Sequence, residues 1–423
     1  MRLFDAFNRE IEKGLPVVAD LGSYGAKTWG PTYPSQGLTP ERLAGIFREA
    51  DSGDIARQAE LFEEMEEKDA HLGSVLQTRK LAVSGLGWEI IPASDSDEDG
   101  AIAGFVKTAF DWIENRDEAI VNLLDAVGKG FAVSEIMWEI DEGKVWIREL
   151  KWRHQGLFTF AQENGQEFST NGDMPRLLTD SSPSYGEELI PNKFIVHRYR
   201  ARTGYPARAG VLRPCAYMYL FKNYCIKDWV IFAERYAMPM RIGKFNPSAT
   251  ESERRALKNA VFNLGSDAAA VISDSTVIEL LDTASKGQSA DVYSALANFC
   301  DSAISKAVLG QTLTTEQASG SYATARIHQK VRQDILEADA SALSSTLTMQ
   351  LIRPLVEFNF GRGTNIPAFK FRHEKEEDLK SLAETLAIIV KDMGYADMPK
   401  SFVRNRFGIP LPVGNEETVG GKI

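Results

Sequence analysis

The sequence predicts an α+β fold, and three observations carry that prediction. Apolar residues recur at helical spacing over 212–237 and 322–358, and a third stretch, 289–309, repeats polar residues three and four apart. On either side of Asp141–Gly143, FAVSEIMWEI and KVWIRELKWR alternate with a period of two, the signal of a β-hairpin. Between the first two long helices, 238–285 reads strand, helix, strand. The chain has 423 residues, room for two or more domains, and its 43% hydrophobic and 25% charged content is that of a soluble globular protein.

Taken in order, residues 1–38 are rich in Gly, Pro and aromatics without periodicity, and read as an extended arm wrapping a neighbouring subunit. Residues 1–13 lack the apolar core of a signal peptide. Thr39 followed by Pro40 and Glu41 is good chemistry for a helix start. Residues 54–71 form a charged helix whose acidic run is expected to be a solvated face rather than a metal site. The helix continues over 72–83, and 87–92 reads as a strand. DSDEDG at 95–100 matches the first half of a calcium loop, but its twelfth position is Val106, where a bidentate Glu is needed. It is expected as an exposed turn whose carboxylates favour the N-terminus of a helix at 101–113. Another helix spans 117–127. After the hairpin, strand-like pieces run through LFTFA to KFIVHRY, and His154 and His197 within them have no carboxylate or cysteine at ligand spacing, so both read as structural.

The helix at 212–237 has few polar positions. Asn223, Lys227 and Glu234 share one stripe, while Tyr217, Leu220, Phe221, Tyr224, Trp229, Val230, Phe232 and Tyr236 occupy most of the rest. Such a helix must be covered by several neighbours. Lys222, Lys227, Asp228, Glu234 and Arg235 interrupt any run long enough to cross a bilayer. In the insert that follows, Thr250 and Glu253 make a capping box, and Arg254, Arg255 and Lys258 lie on its helix. At 289–309, Asp291, Ser294, Asn298, Asp301 and Ser305 form a polar face opposed by Val292, Leu296, Phe299 and Ala303; by periodicity alone this is a solvated surface helix. GQTLTTEQASGS at 310–321 is Gly-bounded and hydroxyl-rich, a flexible polar loop. Pro354 should kink or end the long helix that follows. A turn and short strand, NFGRGTNIPAFKF, lead to an amphipathic helix at 374–393, and the glycine-rich tail 413–423 is expected to be disordered.

Chemistry is conspicuous by what is missing. Cys215, Cys225 and Cys300 are too scattered for a disulfide framework or zinc site and read as buried small hydrophobes. No Walker loop, H-E-x-x-H, C-x-x-C or G-x-S-x-G pattern occurs. No catalytic residue, metal or cofactor is therefore expected. A net charge of −11 argues against a tight nucleic-acid binder.

Four segments decide the reading: LTPERLAGIFREADSGD, MEEKDAHLGSVLQTRKLAVSGLGWEI, LGQTLTTEQASGSYATARIHQKV and LIRPLVEFNFG. In this order they resemble the Mu-type portal proteins of tailed bacteriophages, over nearly the whole chain. The resemblance implies the portal fold and a ring-shaped homo-oligomer, typically of twelve subunits, at one capsid vertex of the virion, assembled in the host cytoplasm. Its parts would be an N-terminal arm (1–38), wing (39–211), first stem helix (212–237), clip (238–285), second stem helix (286–309), tunnel loop (310–321), the long wing helix (322–366), crown (367–412) and tail (413–423). Asp291, Ser294, Asn298, Asp301 and Ser305 would then line the channel. Gln311, Thr312, Thr314, Thr315, Glu316, Ser319 and Gly320 would belong to the tunnel loop, and Arg254, Arg255 and Lys258 would dock the large terminase and later the head–tail adaptor. The other implied partners are double-stranded DNA and the major capsid protein or scaffold; no membrane is involved. The acidic charge suits a conduit in which DNA must slide. The rival readings are a head-to-tail adaptor ring and a soluble α+β enzyme with a dispersed carboxylate site.

Overall fold

Thr39 starts the first helix, α1 (Pro40–Asp51), as expected: its hydroxyl accepts from the Arg42 N–H at 3.2 Å, and Pro40 occupies the first turn. The structure, a computed structural model, describes residues 37–161, 174–202, 204–237, 241–246, 248–263, 269–273, 286–312, 322–372, 379–391 and 399–407. The charged stretch after α1 is two helices, α2 (Ala56–Lys68) and α3 (Ala70–Ser84). Asp69 divides them, because its carboxylate accepts from the N–H groups of His71 and Leu72 and caps α3. The acidic run is also not the solvated face expected of it. Glu64 is buried, Glu66 binds Lys80 Nζ at 2.6 Å, and Glu63 binds Lys129 Nζ at 3.0 Å and His154 Nε2 at 2.9 Å. His154 thus does have a carboxylate beside it, supplied from a segment too distant in sequence for spacing to reveal.

Strand β1 (Trp88–Ile91) precedes α4 (Asp97–Asp111). The latter begins earlier than expected because Ser96 caps it, so Asp97, Glu98 and Asp99 are its first turn, and Asp99 is buried against Asn365 rather than exposed. Helices α5 (Arg116–Leu124) and α6 (Ala126–Lys129) lead into the hairpin β2 (Phe131–Asp141) and β3 (Lys144–Arg153). Its two-residue loop holds Glu142 at φ 46° and Gly143 at φ 79°, the positive angles that a type I′ turn demands. Gly130 has φ 94°, and a Cβ there would lie 2.1 Å from the Pro206 carbonyl. A short ribbon, β4 (Phe158–Thr159) with β5 (Arg176–Leu177), precedes β6 (Phe194–Arg198), which pairs antiparallel with the other edge of β2.

Helix α7 (Leu212–Ala237) leaves this body and leads to β7 (Arg241–Phe245), α8 (Glu251–Asn263) and β8 (Ala269–Ser273). The two strands pair in parallel with the helix as crossover, a minimal βαβ unit. The capping box forms: Thr250 N–H donates to Glu253 Oε2 at 2.8 Å, and Glu253 N–H to Thr250 Oγ1 at 3.4 Å. Helix α9 (Lys286–Leu309) returns along α7 to the body, and α10 (Tyr322–Leu347) follows. Pro354 does not end the helical path. A π-helical turn at Thr348–Ile352 absorbs the register change, and Pro354 falls in the first turn of α11 (Arg353–Phe360), where its missing N–H is unneeded. Strand β9 (Ala368–Phe371) then pairs antiparallel with β1.

Three cores hold the body. Phe110, Leu123, Ile136, Leu343, Leu351 and Phe369 centre the one between α4, α5, the sheet and α10–α11. Leu43, Phe62, Leu72, Tyr219, Ile304 and Val308 centre a second, where α1–α3 grip one end of α7 and α9. Phe131, Phe158, Val196 and Tyr205 build the third under β6. Residues 372–423 are a separate unit, in which α12 (Leu379–Lys391) and α13 (Lys400–Arg406) are described.

Candidate channel and subunit interface

The antiparallel pair α7–α9 is where the sequence concentrated its candidates. Lys222 on α7 holds it: Nζ lies 2.6 Å from Asp301 Oδ1 on α9 and 2.9 Å from Asp69 Oδ1. Burial alone would lower this ammonium's pKa, but hydrogen bonds to Asp301 and Asp69 raise it, so it stays charged. Further along, Cys225 Sγ sits 3.2 Å from the Tyr293 carbonyl, and Phe232 packs on the Tyr293 ring.

The polar stripe of α9 does not act as one face. Ser305 is buried, with Oγ 2.7 Å from His71 Nε2, and the Asp301 carboxylate is taken up by Lys222. Ser305 therefore cannot line a channel, and Asp301 is an internal ion-pair partner. Asp291 and Asn298 are exposed and Ser294 is half-buried. The division follows from where the helix runs: its C-terminal half enters the second core, while its N-terminal half extends beyond it. The opposing face is bare, with Val292 65% and Phe299 62% exposed and Leu296 exposed between them. On α7, Tyr217, Phe221, Tyr224, Ile226, Val230 and Ile231 are also exposed. One subunit leaves both helices short of apolar cover.

At the body end of α9, Gly310 closes the helix at φ 69°, its N–H donating to the Lys306 carbonyl at 3.1 Å. Gln311 is buried and Thr312 half-buried, so Gln311 roots the loop in its own subunit instead of projecting from it. Thr314, Thr315, Glu316, Ser319 and Gly320 lie outside the described residues. Above the root sits a group that sequence reading missed. Arg79 on α3 forks onto Asp339 of α10 at 2.7 and 3.0 Å, and donates to the Val308 carbonyl at 2.7 Å and Tyr199 Oη at 3.0 Å. The signal was available, since Arg79 falls in the buried row Leu72, Val75, Leu76, Arg79, Val83, where a charge needs a partner.

On α8, Arg254, Arg255 and Lys258 are all exposed, and the Arg254 guanidinium also lies 4.7 Å over the Phe245 ring of its own βαβ unit. Among the described residues no cluster of His, Cys, Asp or Glu could hold a metal, and no helix is long and apolar enough to cross a membrane.

Residues 59–409 match the family described as the portal protein of Mu bacteriophage. The chain belongs to the Mu-type portal family. It is 33% identical over 395 residues to the Mu-like prophage FluMu protein gp29 of Haemophilus influenzae, covering 92% of this chain and 74% of that protein. The portal protein of Escherichia phage Mu is likewise 33% identical, over 398 residues covering 91% of this chain and 73% of its own length. In fold the chain resembles one in the neck of the native GTA particle computed with C12 symmetry, at 12% identity and a TM-score of 0.52, over 87% of this chain and 98% of that one. The function that goes with membership is that of a phage portal protein; the family is structural, and the enzyme reading has no support.

Proposed function

We propose that this portal works as a ring around a DNA channel at one vertex of the virion, through which the genome enters during packaging and leaves at ejection. The observation that carries the ring is the bare apolar surface on α7 and α9, which a second copy of the same pair would cover. The fold shared with a neck chain computed with C12 symmetry supports twelve copies. In this ring residues 39–211, the α10–α11 region and β9, which pairs with β1, form the wing, α7 and α9 the stem, 238–285 the clip, 310–321 the tunnel loop and 372–412 the crown, which starts later than the sequence placed it. The stem turns Asp291, Ser294 and Asn298 toward the channel. Short acidic and neutral side chains there give the phosphates nothing to grip, so duplex slides. Residues 312–320, with their hydroxyls and Gly320, reach into the lumen from the root at Gln311. The helix of the clip presents Arg254, Arg255 and Lys258 to the large terminase, and to the head–tail adaptor once packaging ends, while the wing meets the capsid protein or scaffold. Energy for DNA movement comes from the separate motor.

The test is cryo-EM of the purified protein viewed down the particle axis. A ring of about twelve copies with a central channel is the expected image. Monomers or dimers at high concentration would overturn the proposal.

A further inference from the structure

Helix α7 carries a second bare surface that a ring of stems need not cover. Tyr217, Phe221, Tyr224, Asp228 and Ile231 follow one another four and three residues apart, so they form a single stripe. All five are exposed. Ile226 and Val230 lie on another side of the helix, and with Val292, Leu296 and Phe299 of α9 they remain available to a neighbouring subunit. The stripe is already touched at its middle: Tyr224 Oη donates to the Leu38 carbonyl at 2.7 Å, and Leu38 is buried. Its Tyr217 end is closed by Phe47, whose ring meets Tyr217 edge-on at 6.0 Å. Its Ile231 end is open.

We propose that the segment preceding Gly37, residues 24–36, docks in cis along this stripe, from Tyr224 toward Ile231. Four observations fix the occupant. The chain reaches the described residues at the stripe itself, through the bond from Tyr224 to Leu38 of the same subunit. The segment, YGAKTWGPTYPSQ, is rich in proline and aromatics, the composition that lies extended on aromatic surfaces. Its only charge is Lys27, and the stripe's only charge is Asp228. Reach is sufficient: Tyr224 to Ile231 spans roughly 10 Å of helix at ~1.5 Å per residue, and eight residues of extended proline-rich chain cover ~25 Å. The assignment replaces the sequence expectation that the arm wraps a neighbour, and it does not depend on ring formation.

The experiment places the photoreactive residue p-benzoylphenylalanine at the exposed position 231 of the full chain, in a mixture of isotopically heavy and light protein. Mass spectrometry of the crosslinks should find position 231 joined to residues 24–36 in heavy–heavy and light–light pairs. Heavy–light pairs with the arm would overturn the cis assignment, and crosslinks solely to other segments would overturn the docking. In a second measurement, trypsin cleavage after Lys27 should accelerate about tenfold in Ile231→Glu, with thermal stability retained because the position is exposed. An unchanged cleavage rate would overturn the proposal, whatever image the ring test gives.

Discussion

Arg79 joins three helices through one side chain: it leaves α3, forks onto Asp339 of α10 and takes the Val308 carbonyl in the last turn of α9. Both charges are buried, so removing one strands the other. Arg79→Met should cost about 3–5 kcal/mol in urea unfolding, and Arg79→Met/Asp339→Leu should recover part of it. A loss under ~1 kcal/mol for the single change would place the pair in solvent contact. His197 makes a pH prediction. Burial, and then Arg200, push its pKa down to about 4, and Nδ1 lies 2.9 Å from Thr346 Oγ1. Between pH 6.5 and 4 the unfolded chain binds a proton that the folded chain refuses, so stability falls as pH falls through that window, by about 3 kcal/mol in all. Urea midpoints measured across it should slope in the native protein and lose most of that slope in His197→Asn. The carboxylate Asp125 acts lower on the scale. Burial would raise it, but Lys129 and Lys80 hold it below the ordinary range, so its stabilisation is lost only in more acid solution.

Elements meet at α9's end, where Gly310 lets the chain turn toward α10. A Cβ there would meet Ile335 Cδ1 at 3.1 Å and Val331 Cγ1 at 3.2 Å, and φ is 69°. Gly310→Ala is expected to cost about 1–2 kcal/mol from backbone strain, with faster amide exchange at 306–312 as its local signature. Unchanged exchange there would mean that the loop root tolerates a side chain. The π-helical turn is the other place where elements are reconciled. It puts Thr348 Oγ1 3.0 Å from the Phe369 N–H, so the irregular turn supplies an acceptor to β9. Sequence reading located Pro354 and expected a kink or an end; it had no means of seeing that the helix would widen before the proline.

At the scale of the whole molecule the predictions concern the proposed ring. Phe299→Asp changes an exposed side chain, so the subunit should fold with little loss while native mass spectrometry finds the ring replaced by smaller species. A ring that survives would move the interface off this face. Asp291→Lys would place a positive charge in every subunit's share of the proposed lumen. Packaging should slow most at low salt, where screening is weakest, and an unchanged rate would put Asp291 outside the channel. Asp301→Lys would not test the channel, because it would set a lysine against Lys222 and disturb the helix pair itself.

By itself the sequence determined which residues share a face and what ends each element: the Thr39 start, the Asp141–Gly143 turn, the Thr250–Glu253 box and the order of segments that places the chain among Mu-type portals. These are local matters of spacing and turn chemistry. Tertiary structure decided what each face meets. It turned Ser305 and Asp301 inward and left Phe299 bare, and it brought Glu63 to His154 and Asp339 to Arg79. Periodicity aligns side chains along a helix, but it carries no information about which neighbour packs on which half. A core that covers one end of α9 and stops midway can therefore split a single stripe into a half-buried ion pair and an open surface.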